Sequence, residues 1–181
     1  MLKLKIEGKE YYNEITNEFI DLPGGELELE HSLYALAAWE SKWKKPFLTD
    51  KPKTLDETIS YIKCMTLNPE SVSPHLYSLI SQKNLDQIYE YMGSTQTATW
   101  FTEHGPKQPK SRKVITAEII YYWMVSFNIP FECQYWHLDR LITLIRVCDI
   151  NSKPPKKMSK QEAARQRMAL NNQRLKRGKH K

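Results

Sequence analysis

Cys133 and His137 stand four residues apart near the start of a helical pattern, so both side chains could face one metal ion or act as nucleophile and base. A metal or catalytic centre needs further members, and no second Cys/His pair lies near them in sequence, so they read as ordinary buried residues. Cys64, Cys133 and Cys148 contain no Cys-x-x-Cys spacing and fit a reducing compartment as small apolar side chains. His31 beside Glu28 and Glu30 reads as a strand-to-helix junction, and Glu40 with Lys44, like Asp139 near Arg140, reads as solvated charge. A glycine-rich phosphate loop, a serine nucleophile elbow, a zinc-deaminase pattern and a His-Glu-x-x-His helix are all missing. The expectation is therefore a non-enzymatic protein with no catalytic, cofactor-binding or metal-ligating set.

Aromatic residues carry the other candidate chemistry. Trp39 and Trp43 are four apart on one helical face, and Trp100-Phe101 precedes a polar loop. Side chains of this size anchor cores, but they also supply much contact area with few torsions to freeze, as a docking groove requires. Burial separates the two readings.

The elements that must position these residues are mostly helical. Leu2, Leu4 and Ile6 alternate with charged residues, as do Leu27 and Leu29, so two short strands are expected to pair as a ribbon, with 12–20 as a third strand or a loop. A helix is expected from Ser32 to just before Pro46, because the proline ring blocks its continuation. Thr54-Leu55-Asp56-Glu57 is a capping box opening a second helix through Met65. Ser73-Pro74 starts a short helix, Asn84 is expected to cap the next, and Gly93 to close it in a left-handed conformation. Residues 102–113 contain no apolar side chain and read as a loop. Ile119 to Phe127 is apolar nearly all round, hence a central helix, and is expected to pack antiparallel against one running from Trp136 to Cys148.

Charge divides the chain. From residue 156 to 181 there are ten Lys or Arg against Glu162, a net +9, which leaves residues 1–155 with −3 of the total +6. The expected organisation is a mainly helical domain with a short N-terminal β-ribbon over 1–155 and a basic tail, helical or disordered, over 156–181. The tail residues of interest are Lys156, Lys157, Arg165, Arg167, Arg174, Lys176 and Arg177. They read as a solvated end, as a site for phosphate backbones through counterion release, or as a segment folding onto an acidic protein. The absence of interleaved aromatics disfavours the nucleic-acid reading. No segment reaches membrane-span length and the N-terminus has no signal-peptide stretch, so a soluble intracellular protein is expected.

The runs Leu29-Glu30-His31-Ser32-Leu33 and Trp39-Glu40-Ser41-Lys42-Trp43-Lys44-Lys45-Pro46-Phe47-Leu48 are similar to those of small proteins from the tail-gene clusters of long-tailed bacteriophages. So are Thr97-Ala98-Thr99-Trp100-Phe101, Ile115 to Tyr122, and Trp136-His137-Leu138. The similarity covers most of residues 27–181 and resembles the tail assembly chaperone family. It implies a helper in the host cytoplasm that coats the long, helical tape measure protein until tail-tube subunits polymerise around it. Trp39, Trp43, Trp100 and Phe101 would then touch the partner. Alternatives are a structural virion protein, such as a connector or tail-completion subunit, and a nucleic-acid-binding accessory protein acting through the tail. The sequence leaves the oligomeric state open.

Overall fold

The computed structural model describes residues 1–13, 17–101 and 114–152, together with 164, 165, 167 and 168. It is mainly helical with a minor β component, as the patterning predicts. Four strands, β1 (Leu2–Ile6), β2 (Lys9–Asn13), β3 (Glu18–Leu22) and β4 (Gly25–Leu29), precede α1 (Leu33–Trp43), α2 (Leu55–Met65), α3 (Gln82–Gly93), α4 (Ala117–Ser126) and α5 (Leu138–Ser152). Short 3-10 turns lie at Pro69–Ser71, Pro74–Leu79 and Phe131–Tyr135. Among the described residues no helix is long and apolar enough to cross a membrane.

The strands form one long antiparallel hairpin interrupted in the middle. Leu2 pairs with Leu29 through to Ile6 with Gly25, and the same register resumes at Lys9 with Leu22 and runs to Asn13 with Glu18. The break falls where Gly8 meets Gly24. A Cβ on Gly8 would lie 2.7 Å from the Gly24 nitrogen, so the two connections touch backbone to backbone. The base of the ribbon buries Leu4, Ile6, Leu27 and Leu29, while Lys3 bridges Glu28 at 2.8 Å on the wet face. The outer half, β2–β3, leaves Tyr11, Tyr12, Phe19 and Ile20 exposed, with Phe19 at 72%.

Helix α1 begins at Ser32, whose hydroxyl accepts from the Ala35 amide, and ends at Lys44, which takes the left-handed region at φ 54°. The capping box at Thr54 and Glu57 is present in both halves. For α3 the cap is Ser81, with Asn84 as its reciprocal partner three residues on, so the expected cap at Asn84 is displaced by one turn. Gly93 ends α3 without a left-handed residue; Ser94 follows in extended conformation. The base of the ribbon, α1, α2, α4 and α5 share one core with Leu33, Leu36, Trp39, Ile62, Met65, Ile120, Met124 and Leu141 at its centre.

Two tertiary expectations need correction. Helix α4 buries only Ala117, Ile120 and Met124, leaving Tyr122 69% exposed, so it is a half-buried helix with an aromatic outer face rather than a central one. A 3-10 turn also separates α4 from α5, and α4 packs most closely on α1.

The chain divides into two compact units, Met1–Cys148 and Asp149–Lys181. Ala164, Arg165, Arg167 and Met168 have helical backbone with exposed side chains. Lys156, Lys157, Arg174, Lys176, Arg177 and the loop 102–113 lie outside the described residues.

Candidate partner-binding furrow

Burial separates the aromatic candidates. Trp39 is 1% exposed, its ring flanked by Phe47 at 5.0 Å and its Nε1 donating to the Glu57 carbonyl at 2.8 Å. It is a core residue and leaves the set that could touch a partner, because its contacts would have to be broken first. Trp43 is half-buried. It stacks on Trp39 with ring centres 6.0 Å apart, and its Nε1 donates to Ser60 Oγ at 3.0 Å. Trp100 is 91% exposed, and Phe101 is half-buried with the Arg146 guanidinium 4.2 Å from its ring centre. Neither Trp100 nor Phe101 joins the tryptophan pair in one site.

The other face of Trp43 borders an open furrow of about 550 Å³ between the end of α1, the length of α2 and the Pro74–Leu79 turn. Its apolar floor is Trp43, Leu55, Ile59, Tyr77 and Ile80, of which Leu55 is 67% exposed. Asp56 in the first turn of α2 and Lys63 in its last turn both line it, and the Lys42 charge reaches Cys64, the neighbour of Lys63. The Lys63 ammonium lies 5.0 Å from the centre of the Tyr77 ring. The furrow exists because α2 carries apolar residues on two faces: Tyr61, Ile62 and Met65 face the core, while Leu55 and Ile59 lie off that stripe. Helical periodicity singles out Ile59 as an apolar position, but nothing in the sequence distinguishes an open stripe from a covered one.

The furrow walls are fixed by buried polar contacts. Glu40, expected to be solvated, is instead buried; its Oε1 accepts from the Phe47 amide at 2.6 Å and its Oε2 from the Ala117 amide at 2.8 Å. One carboxylate thus ties α1 to the following loop and to the first residue of α4. Glu57 accepts from Lys45 Nζ at 2.7 Å and from the Thr54 amide at 2.9 Å, and these bonds, the lysine's first, hold its carboxyl below the usual range. Burial pushes the Cys64 thiol up, opposed by the Lys42 charge, so Cys64 is a poor nucleophile.

Behind the furrow the aromatic packing continues inward. Trp39 meets Phe47, Phe47 stacks on Tyr61 at 3.9 Å, and Tyr61 Oη lies 2.7 Å from His31 Nδ1. His31 faces His137 with ring centres 5.3 Å apart. Desolvation, reinforced by the neighbouring His137 and opposed by Glu30, lowers His31 to about 4, so it is neutral at pH 7. His137 accepts from the Asp139 amide through Nδ1 at 3.2 Å, which leaves Nε2 as the donor to the Tyr91 carbonyl at 3.2 Å. Both ring nitrogens of His137 are thereby committed to backbone. Cys133 is buried, with its thiol pushed up chiefly by that burial. Among the described residues no group of three or more His, Cys, Asp or Glu could hold a metal ion. Cys133 and His137 are both buried.

No protein-family model, curated protein or solved structure matches this chain.

Proposed function

We propose that this protein is a non-enzymatic tail assembly chaperone, which holds exposed apolar helices of a phage tape measure protein until tail-tube subunits enclose them. The observation that carries the reading is the furrow: Trp43, Leu55, Ile59, Tyr77 and Ile80 form an uncovered apolar floor of the kind that receives the apolar face of a helix. Burying one such side chain is worth about 1.5–3 kcal/mol, so two or three knobs contribute roughly 3–9 kcal/mol, which favours a partner segment already helical over one that must be ordered at about 1–2 kcal/mol per residue. The resemblance of most of residues 27–181 to the tail-chaperone family supports the tape measure protein as the partner.

Co-expression with the tape measure protein tests the reading. The tape measure is expected in the soluble fraction with this chain and in aggregates without it; equal solubility in both cases removes the proposal. Stoichiometric copies in finished particles would instead favour a structural virion role.

A further inference from the structure

We infer that the furrow selects its helix by charge as well as by apolar fit, and that the segment it takes carries acidic residues at one end of a two-turn apolar stripe. The inference rests on the proposed partner-holding role and names the chemistry of the segment held. Three observations support it. Lys42 and Lys63 sit at the last turns of α1 and α2, both exposed, and neither has an acidic partner among the described residues. Asp56 occupies the first turn of α2, at the opposite end of the floor. The apolar floor runs between them, from Leu55 past Ile59 along α2, a rise of roughly 12 Å from Leu55 to Lys63 at about 1.5 Å per residue.

A partner helix lying along this floor presents apolar residues at i, i+3 or i+4, and i+7 over those two turns. Its acidic residues fall beside Lys42 and Lys63, where unlike charges attract across partly desolvated apolar surface. A lysine-flanked helix of the same stripe meets two like charges there, and a reversed one brings its acids to Asp56. The surrounding domain carries net −3 by sequence, so this basic end is a local departure from the charge of residues 1–155.

The probes are two labelled synthetic helices of about 16 residues with identical leucine stripes, one ending in glutamates and the other in lysines, titrated against the full chain by fluorescence anisotropy at low salt. The glutamate peptide is expected to bind at least about tenfold tighter, and the preference is expected to invert with Lys42→Glu and Lys63→Glu together. Leu55→Ser should weaken both peptides while leaving the thermal unfolding midpoint in place, since Leu55 is mostly exposed. Equal affinities, or no binding of either peptide, would overturn the inference. If neither binds while the tape measure still stays soluble on co-expression, charge selection in the furrow is wrong and the chaperone role survives. If the preference holds while tape measure solubility is unchanged, the furrow assignment stands and the chaperone role fails.

Discussion

Replacing Glu40 by Ala removes the single group that accepts from both the Phe47 and Ala117 amides. Two backbone donors are then left in the interior without a partner. Each orphaned donor costs about 1–3 kcal/mol, so the expected loss is roughly 2–6 kcal/mol, reduced where the carboxylate's own burial had been unfavourable. A solvated glutamate at the same position would cost within about 0.5 kcal/mol. Against a typical domain stability of about 5–15 kcal/mol, these expectations are well separated. Urea unfolding followed by tryptophan fluorescence reads the difference: with a slope of about 1–3 kcal/mol per molar, the midpoint should fall by on the order of 1–2 M. Glu40→Gln keeps one acceptor but turns its amide nitrogen toward a backbone N–H, so it should recover at most part of the loss. A midpoint within about 0.2 M of wild type for the alanine variant would refute the view that this carboxylate ties α1 to α4.

Three further outcomes follow from the packing. His31 has its folded value lowered to about 4 from 6.5, so the unfolded chain binds the extra proton between those values; its contribution is whole above the upper value and is lost as pH falls toward the lower one, by roughly 3 kcal/mol. Urea midpoints at pH 7 and pH 4.5 should diverge, and His31→Asn should flatten that dependence; an unchanged slope in the variant would show that another group is responsible. Trp39→Ala should cost about 3–5 kcal/mol by calorimetry or urea titration, whereas Leu55→Ala should stay within about 0.5 kcal/mol, and similar costs would mean that the burial contrast is wrong. Lys44 holds a left-handed conformation at the end of α1, so Lys44→Gly is expected to raise stability by up to about 1 kcal/mol, and a clear loss would place other contacts of that lysine above the backbone strain.

Local rules are legible for some pairs within one turn, although the Ser81–Asn84 cap, equally local, is expected at the wrong member of the pair. Thr54 and Glu57 are three apart, and their capping box stands where the sequence places it, whereas Ser32, expected as the start of the helical pattern, is the residue that caps α1. Alternation in residues 2–6 and 27–29 marks the base of the ribbon, but its outer half has apolar residues on both faces, which no single buried face explains. What the chain brings together from afar stays hidden. Glu40 finds Ala117 and His31 finds His137 across long loops, so in sequence the glutamate resembles a solvated charge and the histidine a junction residue. Apolarity in α4 announces burial, yet one face of that helix remains outside because α1 covers only the other. For the furrow, Trp43 is visible as a large aromatic at helical spacing. Leu55, hidden inside a capping signal, and Tyr77, on a 3-10 turn, acquire meaning only when α2 is set against the Pro74–Leu79 turn.

Photo-crosslinking reads contact at the furrow directly. A benzoylphenylalanine placed at Leu55, or at Tyr122, which is equally exposed but lies outside the furrow, is irradiated in cells co-expressing the tape measure protein. The account predicts strong crosslinks from position 55 to acid-flanked apolar helices of the tape measure and few from position 122. Equal yields from both positions, or crosslinks from 122 alone, would contradict it.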